Sequence, residues 1–248
     1  MLPVRHLGPV ASTTLTGWAP MTTSSAGPHE PRTRLPSGLK TVVTQRVPLV
    51  RLALLRRDML RETGWARSGR ANAPVARDGS PLPWYTYPAI HLLGSRARAD
   101  MAVFEYGSGH STLWWARHVG HVTAVESDHT WVARLTPRLP PNVDLRYAAA
   151  GASADYATAS IDSGRRYDVI VIDGEDRSAC ALACLPALKD DGVVVWDNSD
   201  WFALWADGLG HLEASGFRRI DLRGLGPLNW REWTTSIFYR PGRNCLGI

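Results

Sequence analysis

The amino-acid sequence predicts an α/β fold with a doubly wound, Rossmann-like sheet of seven mostly parallel strands. From residue 101 onwards, short apolar runs alternate with segments of helical periodicity, which is typical of a parallel sheet covered by helices. A glycine-rich turn, Gly107-Ser108-Gly109, joins the first strand to the first helix of this series. Glycine lets the backbone approach a ligand, and a helix start offers free N–H groups. The turn therefore predicts a site for a nucleotide-sized ligand.

The region before the alternating pattern divides into two parts. Residues 1–38 are rich in Pro, Gly, Ser and Thr without periodicity, which predicts a disordered tail. Residues 39–83 predict a basic helical extension and loop, with a helix over 39–63 that breaks or kinks at Pro48. Residues 84–248 then form the predicted ligand-binding domain.

Charge and composition limit the partners. Residues 1–77 hold 12 Lys and Arg against 3 Asp and Glu, while residues 78–248 hold 16 against 20. The basic character belongs to the N-terminal part, so it does not argue for nucleic-acid binding by the core, and no nucleic-acid partner is expected. The sequence has neither an apolar run of membrane-spanning length nor a secretory signal, and its three cysteines do not form a disulfide framework. These features predict a cytoplasmic location.

The segment 49–61 is basic and amphipathic. One interpretation is a helix that lies on a membrane surface and brings the protein to a lipid-linked substrate. The alternative is a helix whose leucines pack on the core or on another subunit of a homo-oligomer, with its arginines in solvent. The second interpretation is favoured.

The strands and helices of the domain are predicted as follows. Strands are expected at 101–106, 121–126, 142–148, 167–173, 192–197, 217–222 and 233–240. Helices are expected at 111–119, 129–136, 177–188 and 200–214. The last two strands are expected to add an antiparallel edge, and ligands should bind at the carboxyl ends of the parallel strands.

Acidic residues close several of these strands. Glu105 ends the first strand and Glu126 the second, at a spacing that suits a carboxylate bound to a ribose diol. Asp173 ends the fourth strand, and Asp197 with Asn198 ends the fifth.

With these residues the sequence resembles the class I S-adenosylmethionine-dependent methyltransferases over about residues 84–240. A dinucleotide-binding turn would carry a third glycine where Thr112 stands. The resemblance implies that the glycine turn lies against the methionine part of the cofactor, that Glu105 approaches its amino group, and that Glu126 holds the ribose. Tyr85 and Tyr87 would cap the cofactor or stack on substrate, or else simply pack against the core. The implied cofactor-binding residues are Glu105, Gly107, Ser108, Gly109, Ser111, Thr112, Glu126, Ser127, Asp128, Ala149, Tyr85 and Tyr87.

Asp173, Asp197 and Asn198 form an oxygen-rich set that suits Mg²⁺, and the set is similar to the ligands of metal-dependent, catechol-type O-methyltransferases. The sequence departs from that subgroup after Asp173, where Gly174-Glu175-Asp176-Arg177 leaves the subgroup's lysine position unfilled. Without a metal, Asp173 or His110 would be the general base. Arg177 would pair with the nearby acids or bind an anionic substrate.

The function expected from this resemblance is methyl transfer from S-adenosylmethionine to a hydroxyl of a small molecule or glycan, with Mg²⁺ as an optional cofactor. Two alternatives are a nicotinamide-dependent oxidoreductase, which Thr112 disfavours, and a non-catalytic nucleotide-binding module. The acceptor itself is not predicted, because substrate-determining segments vary on a shared fold.

Overall fold

The computed structural model describes residues 48–151 and 155–248, with the side chain of Asp58 left out. The predicted tail at 1–38 and the first part of the predicted helix, 39–47, lie outside the described residues. Among the described helices none is long and apolar enough to cross a membrane.

From residue 48 onwards, three helices precede the sheet: α1 at Pro48–Leu55, α2 at Trp65–Ala71 and α3 at Tyr87–Arg96, with a π-helical turn at Arg56–Arg61 after α1. The predicted loop over 64–83 missed α2. The α2 sequence is a weak helix former, since it contains Gly69 and Ser68. A tertiary contact holds it instead, because the buried Ser68 hydroxyl donates to Val75 O (2.9 Å) and accepts from Val75 N (3.0 Å).

The sheet has seven strands in the order β3-β2-β1-β4-β5-β7-β6. The strands are β1 Ala102–Tyr106, β2 His121–Glu126, β3 Val143–Tyr147, β4 Tyr167–Ile172, β5 Leu188–Asp197, β6 Arg218–Gly224 and β7 Trp233–Tyr239. The predicted mostly parallel, doubly wound sheet is confirmed. The last two strands add an antiparallel edge, as predicted: β7 pairs antiparallel with β5, and β6 pairs antiparallel with β7.

Five further helices connect or flank the strands in the described part of the chain: α4 His110–His118, α5 His129–Leu135, α6 Asp155–Asp162, α7 Arg177–Cys184 and α8 Phe202–Ala214. The helix predicted at 177–188 ends at Cys184, because Pro186 falls in a 3-10 turn, Leu185–Ala187, before β5. The sequence missed α6, whose residues DYATASID include few strong helix formers.

The sheet is buried on both faces, as expected for a parallel sheet. Alternate residues of its central strands point into two apolar clusters. Phe104, Ile170 and Trp196 lie in one, and Val103 and Val171 lie in the other. This packing fixes the positions of the central strands. The loops at their carboxyl ends are therefore held in place, and a ligand site can form there.

Candidate functional site

The glycine turn after β1 brings three strand ends together. Gly107 has φ of 91°, and a Cβ added there would lie 3.0 Å from the carbonyl oxygen of Asp173. The Gly107 N–H donates to Val125 O at 2.9 Å. Only glycine suits this left-handed, crowded position. The turn therefore lies between the ends of β2 and β4, where the sequence predicted a ligand.

Thr112 explains why the third glycine of a dinucleotide turn is absent. Its hydroxyl accepts from Gly109 N at 2.9 Å and donates to a carboxylate oxygen of Glu105. The Tyr85 hydroxyl lies 3.4 Å from the other carboxylate oxygen, and Tyr85 itself is fully buried. Thr112 thus ties the turn to the acid at the end of β1.

Glu105 is a buried carboxyl group, with 1% of the residue exposed. Burial raises its pKa from 4.5 to about 8, and hydrogen bonds from Ser111, Thr112 and Tyr85 oppose that rise. No cation balances Glu105 among the side-chain hydrogen bonds and ion pairs of the described residues. A positively charged group of a ligand would favour its ionised form.

Glu126 is held in place at the end of β2. One carboxylate oxygen accepts from Ser127 N (2.8 Å) and Asp128 N (3.0 Å), and the other accepts from Ser108 Oγ at 2.9 Å. Trp131, which the sequence reading did not single out, donates from Nε1 to Ser108 O at 3.0 Å. These contacts bring Ser108, Ser127 and Glu126 together as predicted, and they orient a carboxylate that still has lone pairs for a diol.

Asp128, one of the implied cofactor-binding residues, also has a structural role. Its carboxylate caps α5 by accepting from Thr130 N and Trp131 N at 2.8 and 3.1 Å. Ala149 is exposed after β3. Tyr87 is partly buried at the start of α3, and its backbone N–H donates a hydrogen bond to Leu225 O at 2.7 Å. Their predicted cofactor contacts stay predictions.

The two predicted bases, His110 and Asp173, lie in different surroundings. His110 is partly buried at the start of α4; burial, and then the charge of Arg138 beyond α5, lower its pKa. His110 belongs to α4, whereas Asp173 follows β4. The role of His110 as a base stays a prediction.

Arg177 is the central residue at the ends of β4 and β5. Its guanidinium donates to Asp173 Oδ1 (3.1 Å), to Asn198 Oδ1 (3.2 Å), to Gly174 O (3.0 Å) and to the carbonyl oxygen of Asp197. The ring of Trp205 lies over it at 5.6 Å. The predicted pairing of Arg177 with nearby acids is thus present, and 12% of the side chain is exposed.

Asp197 directs its carboxylate away from Arg177 and toward β7. The indole N–H of Trp233 donates to both oxygens, at 3.0 and 3.2 Å, and the Thr235 hydroxyl donates to Oδ1. Thr235 in turn accepts from Thr86 N at 3.1 Å. The Asp197 side chain therefore joins β5, β7 and the segment before α3.

These contacts correct the predicted metal site at Asp173, Asp197 and Asn198. Two of the three side chains point at a guanidinium, and the third is bonded to β7. The described residues contain no group of three or more His, Cys, Asp or Glu side chains placed to hold a metal ion. Mg²⁺ needs near-octahedral oxygen ligands, and a fixed cation stands between the oxygens that would supply them. The donor set does not fit the ion.

The two carboxyl groups at this end also differ in their proton affinity. Burial raises the pKa of Asp173 to about 6, although Arg177 lowers it, so the carboxylate is ionised at neutral pH. Burial, followed by the charge of Asp173, raises the pKa of Asp197 well above its usual range. Asp173 is therefore the better proton acceptor near pH 7.

The loop between β6 and β7, residues 225–232, covers this edge of the sheet together with the N-terminal part. Asn229 accepts from Trp84 Nε1 through its side chain (2.7 Å) and from Trp65 Nε1 through its backbone (2.9 Å). Trp65 lies in α2, which the sequence did not predict. The edge also carries exposed aromatic side chains, namely Trp84, Trp201, Phe202 and Trp230.

Comparisons with known proteins match the part of the chain that contains these strand ends. A family model described as "Methyltransferase domain" matches residues 104–199, which contain the glycine turn, Glu126, Asp173 and Asp197. No curated protein matches the sequence. The match confirms the resemblance to the class I S-adenosylmethionine-dependent methyltransferases.

Similar solved structures share low sequence identity with the chain. Precorrin-6y C5,15-methyltransferase from Geobacter metallireducens has a TM-score of 0.48 at 16% identity, over 62% of this chain and 87% of that one. A putative caffeoyl-CoA O-methyltransferase from Staphylococcus aureus has a TM-score of 0.47 at 16% identity, over 82% and 96%. Spermidine synthase from Thermotoga maritima has a TM-score of 0.47 at 18% identity, over 63% and 58%.

Proposed function

We propose that the chain methylates an oxygen of a small-molecule or glycan hydroxyl, with S-adenosylmethionine as the donor; the premise is the match of residues 104–199 to a methyltransferase domain. The cofactor supplies an electrophilic methyl group on a sulfonium, which an oxygen nucleophile attacks in line. For such a displacement, placing the nucleophile beside the methyl group is a large part of the catalytic task.

The residues at the ends of β1 and β2 fit the cofactor. Gly107 leaves room where a side chain would meet the backbone of β4, and Glu126 presents an oriented carboxylate to the ribose diol. Glu105 is a buried acid whose charge the methionine ammonium would balance. Each of these three residues therefore has a contact to offer to a different part of the ligand.

The observation that carries the proposal of an oxygen acceptor is the position of Asp173. Its backbone touches the glycine turn, while Arg177 binds its Oδ1 at 3.1 Å. A hydroxyl bound there would give its proton to Oδ2 as the oxygen attacks the methyl group. With a pKa of about 6, the carboxylate is ionised at neutral pH and still basic enough to assist the transfer.

The exposed aromatic residues of the same edge support an acceptor with a ring. Trp201 and Phe202 are 53% and 55% exposed, and Trp230 is 72% exposed. Aromatic side chains offer flat apolar faces that pack on an aromatic ring or on the apolar face of a sugar. These side chains are expected to pack on the ring of the acceptor, while Asp173 accepts the proton of its hydroxyl.

The test is incubation with S-adenosylmethionine labelled in the methyl group and a panel of phenols, sugars and amines. We expect label in a product whose new bond is a methyl ether. Label only in amine products would refute the choice of oxygen. Tight NADH binding without S-adenosylmethionine binding would instead support an oxidoreductase, and cofactor binding without turnover would support a binding module.

The metal question is tested separately with the same assay. Because Arg177 supplies the positive charge at this end of the site, we expect activity to be unchanged by EDTA and by added Mg²⁺. Loss of activity on chelation, with recovery on Mg²⁺ addition, would show that the guanidinium moves aside for a metal. Such a result would restore the metal-dependent mechanism.

A further inference from the structure

A cavity of about 330 Å³ lies in the N-terminal extension, away from the residues of the methyl-donor site. Four arginines line it, Arg61, Arg67, Arg70 and Arg77, together with Ala66. We propose that this cavity binds a phosphate-type oxyanion. Guanidinium groups suit such a ligand because their N–H groups pair with two oxygens at once.

Two of the four arginines are held in position by the protein itself. Arg67 donates from Nη1 to the backbone oxygen of Arg77 at 2.9 Å, and its guanidinium packs against Gly79, where an added Cβ would lie 2.4 Å from Nη2. Arg77 pairs with Glu62. The wall of the cavity that these residues form is thus ordered by contacts within the chain, so a ligand would meet prearranged donors.

The charge around the cavity is unbalanced. Residues 48–77 contain seven arginines and two acids, Asp58 and Glu62. Apart from Asp58, whose side chain is not described, no described carboxylate pairs with Arg61 or Arg70. Like charges that converge on one cavity repel each other, and a bound anion relieves that repulsion.

The surroundings allow two sources for the oxyanion. The helix α1 exposes Leu49, Leu52 and Leu55, which are 77%, 60% and 50% exposed, so these leucines do not pack on the described core. Packing on another subunit, the other part of the favoured interpretation, stays a prediction. Apolar side chains next to arginines are typical of a surface that meets anionic lipid headgroups. Alternatively, the phosphate is carried by a soluble molecule. Both sources share the same chemistry at the cavity.

The experiment measures binding of inorganic pyrophosphate to the full chain by calorimetry at low salt, without any methyl transfer. We expect the double variant Arg61→Gln with Arg70→Gln to bind about tenfold more weakly or worse, since charge-assisted hydrogen bonds are lost. The matched control is Arg134→Gln with Arg165→Gln, two exposed arginines outside the cavity, which removes the same charge. Equal losses in the two double variants, or no measurable binding by the wild type, would overturn the proposal.

A second arm separates the two sources. Vesicles of phosphatidylcholine with phosphatidylglycerol are sedimented with the wild type and with Leu52→Ser and Leu55→Ser combined. Vesicle binding that needs both the leucines and Arg61 with Arg70 identifies a lipid headgroup. Pyrophosphate binding without vesicle binding identifies a soluble phosphate. Because neither arm uses methyl transfer, failure here is distinct from failure of the proposed enzyme activity.

Discussion

The two ends of the candidate site are built in different ways. At the donor end, most donors to the two acids are near them in sequence: Thr112 donates to Glu105, and the N–H groups of residues 127 and 128 donate to Glu126. Only the hydroxyls of Tyr85 and Ser108 come from further along the described chain. At the acceptor end, Arg177 joins the end of β4 to Asn198 after β5, and the Asp197 carboxylate is held from β7. The donor end is a local structure, and the acceptor end depends on contacts between distant segments.

The ends also differ in charge balance. Glu105 is buried without a cation partner among the described side chains, whereas Asp173 is paired with Arg177. A positively charged ligand, such as the proposed S-adenosylmethionine, would therefore balance Glu105 at the donor end. The acceptor end already contains its cation, so it needs no metal to balance Asp173. Separate variants at each end should separate cofactor binding from methyl transfer.

The largest effect is expected from Gly107→Ala, which disturbs both ends at once. The new Cβ would lie 3.0 Å from Asp173 O, at a φ of 91° that alanine disfavours. We expect kcat/KM for methyl transfer to fall by more than about 1,000-fold, because the turn moves by more than the geometry of the reaction tolerates. The assay is initial-rate kinetics with labelled cofactor.

The control for Gly107→Ala is Gly210→Ala in α8, where no atom lies within 4 Å of an added Cβ. This control should keep full activity and gain up to about 1 kcal/mol of stability from the better helix former. Wild-type activity in Gly107→Ala would show that the turn does not contact the reacting groups.

The next largest effect is expected from Asp173→Asn at the acceptor end. Loss of the base should lower kcat by about 100- to 10,000-fold, while the dissociation constant of S-adenosylmethionine changes by less than about threefold. Fluorescence titration and single-turnover kinetics measure the two quantities. If cofactor affinity falls as much as kcat, the division of the site into two ends is wrong.

The matched control for Asp173→Asn is Asp168→Asn, near the start of the same strand, β4. Asp168 accepts from Ala102 N (2.7 Å) and from Lys189 (2.8 Å) inside the sheet. Its replacement should lower stability by breaking these bonds, with kcat of the folded protein unchanged. A loss of kcat in both variants would indicate a general structural effect.

A third prediction concerns the unbalanced charge of Glu105. Its folded-state pKa, about 8, lies above the unfolded value of 4.5, so the native state holds the proton more tightly. The stability that depends on this proton is complete below pH 4.5 and is lost as the pH rises to 8. At pH 8.5 we expect Glu105→Gln without cofactor to be more stable than the wild type by on the order of 3 kcal/mol.

Thermal unfolding at pH 5 and pH 8.5 measures the Glu105 effect, which should be small at the lower pH. Glu213→Gln, an exposed acid on α8, is the control and should show no such pH dependence. Saturating S-adenosylmethionine should remove the advantage of Glu105→Gln at pH 8.5, because its ammonium balances the charge. A pH-independent difference would contradict a raised pKa.

The positions of the glycine turn, Glu105 and Glu126 could be predicted from the sequence because their signals are local. The glycine turn, Glu105 and Glu126 are each placed by the strand that precedes them, and the strand periods are clear. The role of Thr112 as the link to Glu105 was not predicted, although its position was noted as unlike a dinucleotide turn. Side-chain bonding of this kind depends on burial, which the spacing alone does not give.

The acceptor end could be predicted only in part. The sequence placed Asp173, Asp197 and Asn198 at neighbouring strand ends, and they are there. It did not give the direction of each side chain, which depends on Trp233 from β7 and on Arg177. The order of β6 and β7 within the antiparallel edge was not predicted, although β6 is charged and largely accessible whereas β7 is apolar and buried.

The smallest effect is expected from Glu126→Gln at the donor end. Ser127 N and Asp128 N would still find an oxygen acceptor, so the fold should be unchanged. One charge-assisted contact to the ribose diol would become neutral, which we expect to weaken S-adenosylmethionine binding by about tenfold. The rate at saturating cofactor should stay within about twofold, since the ribose contact is the same in ground and transition states.

Calorimetric titration and kcat at saturation measure the two effects of Glu126→Gln. The control is Asp144→Asn, which replaces an acid on β3 that is paired with Arg146. A loss of kcat without a loss of affinity would place Glu126 in the acceptor end and remove the basis for the division.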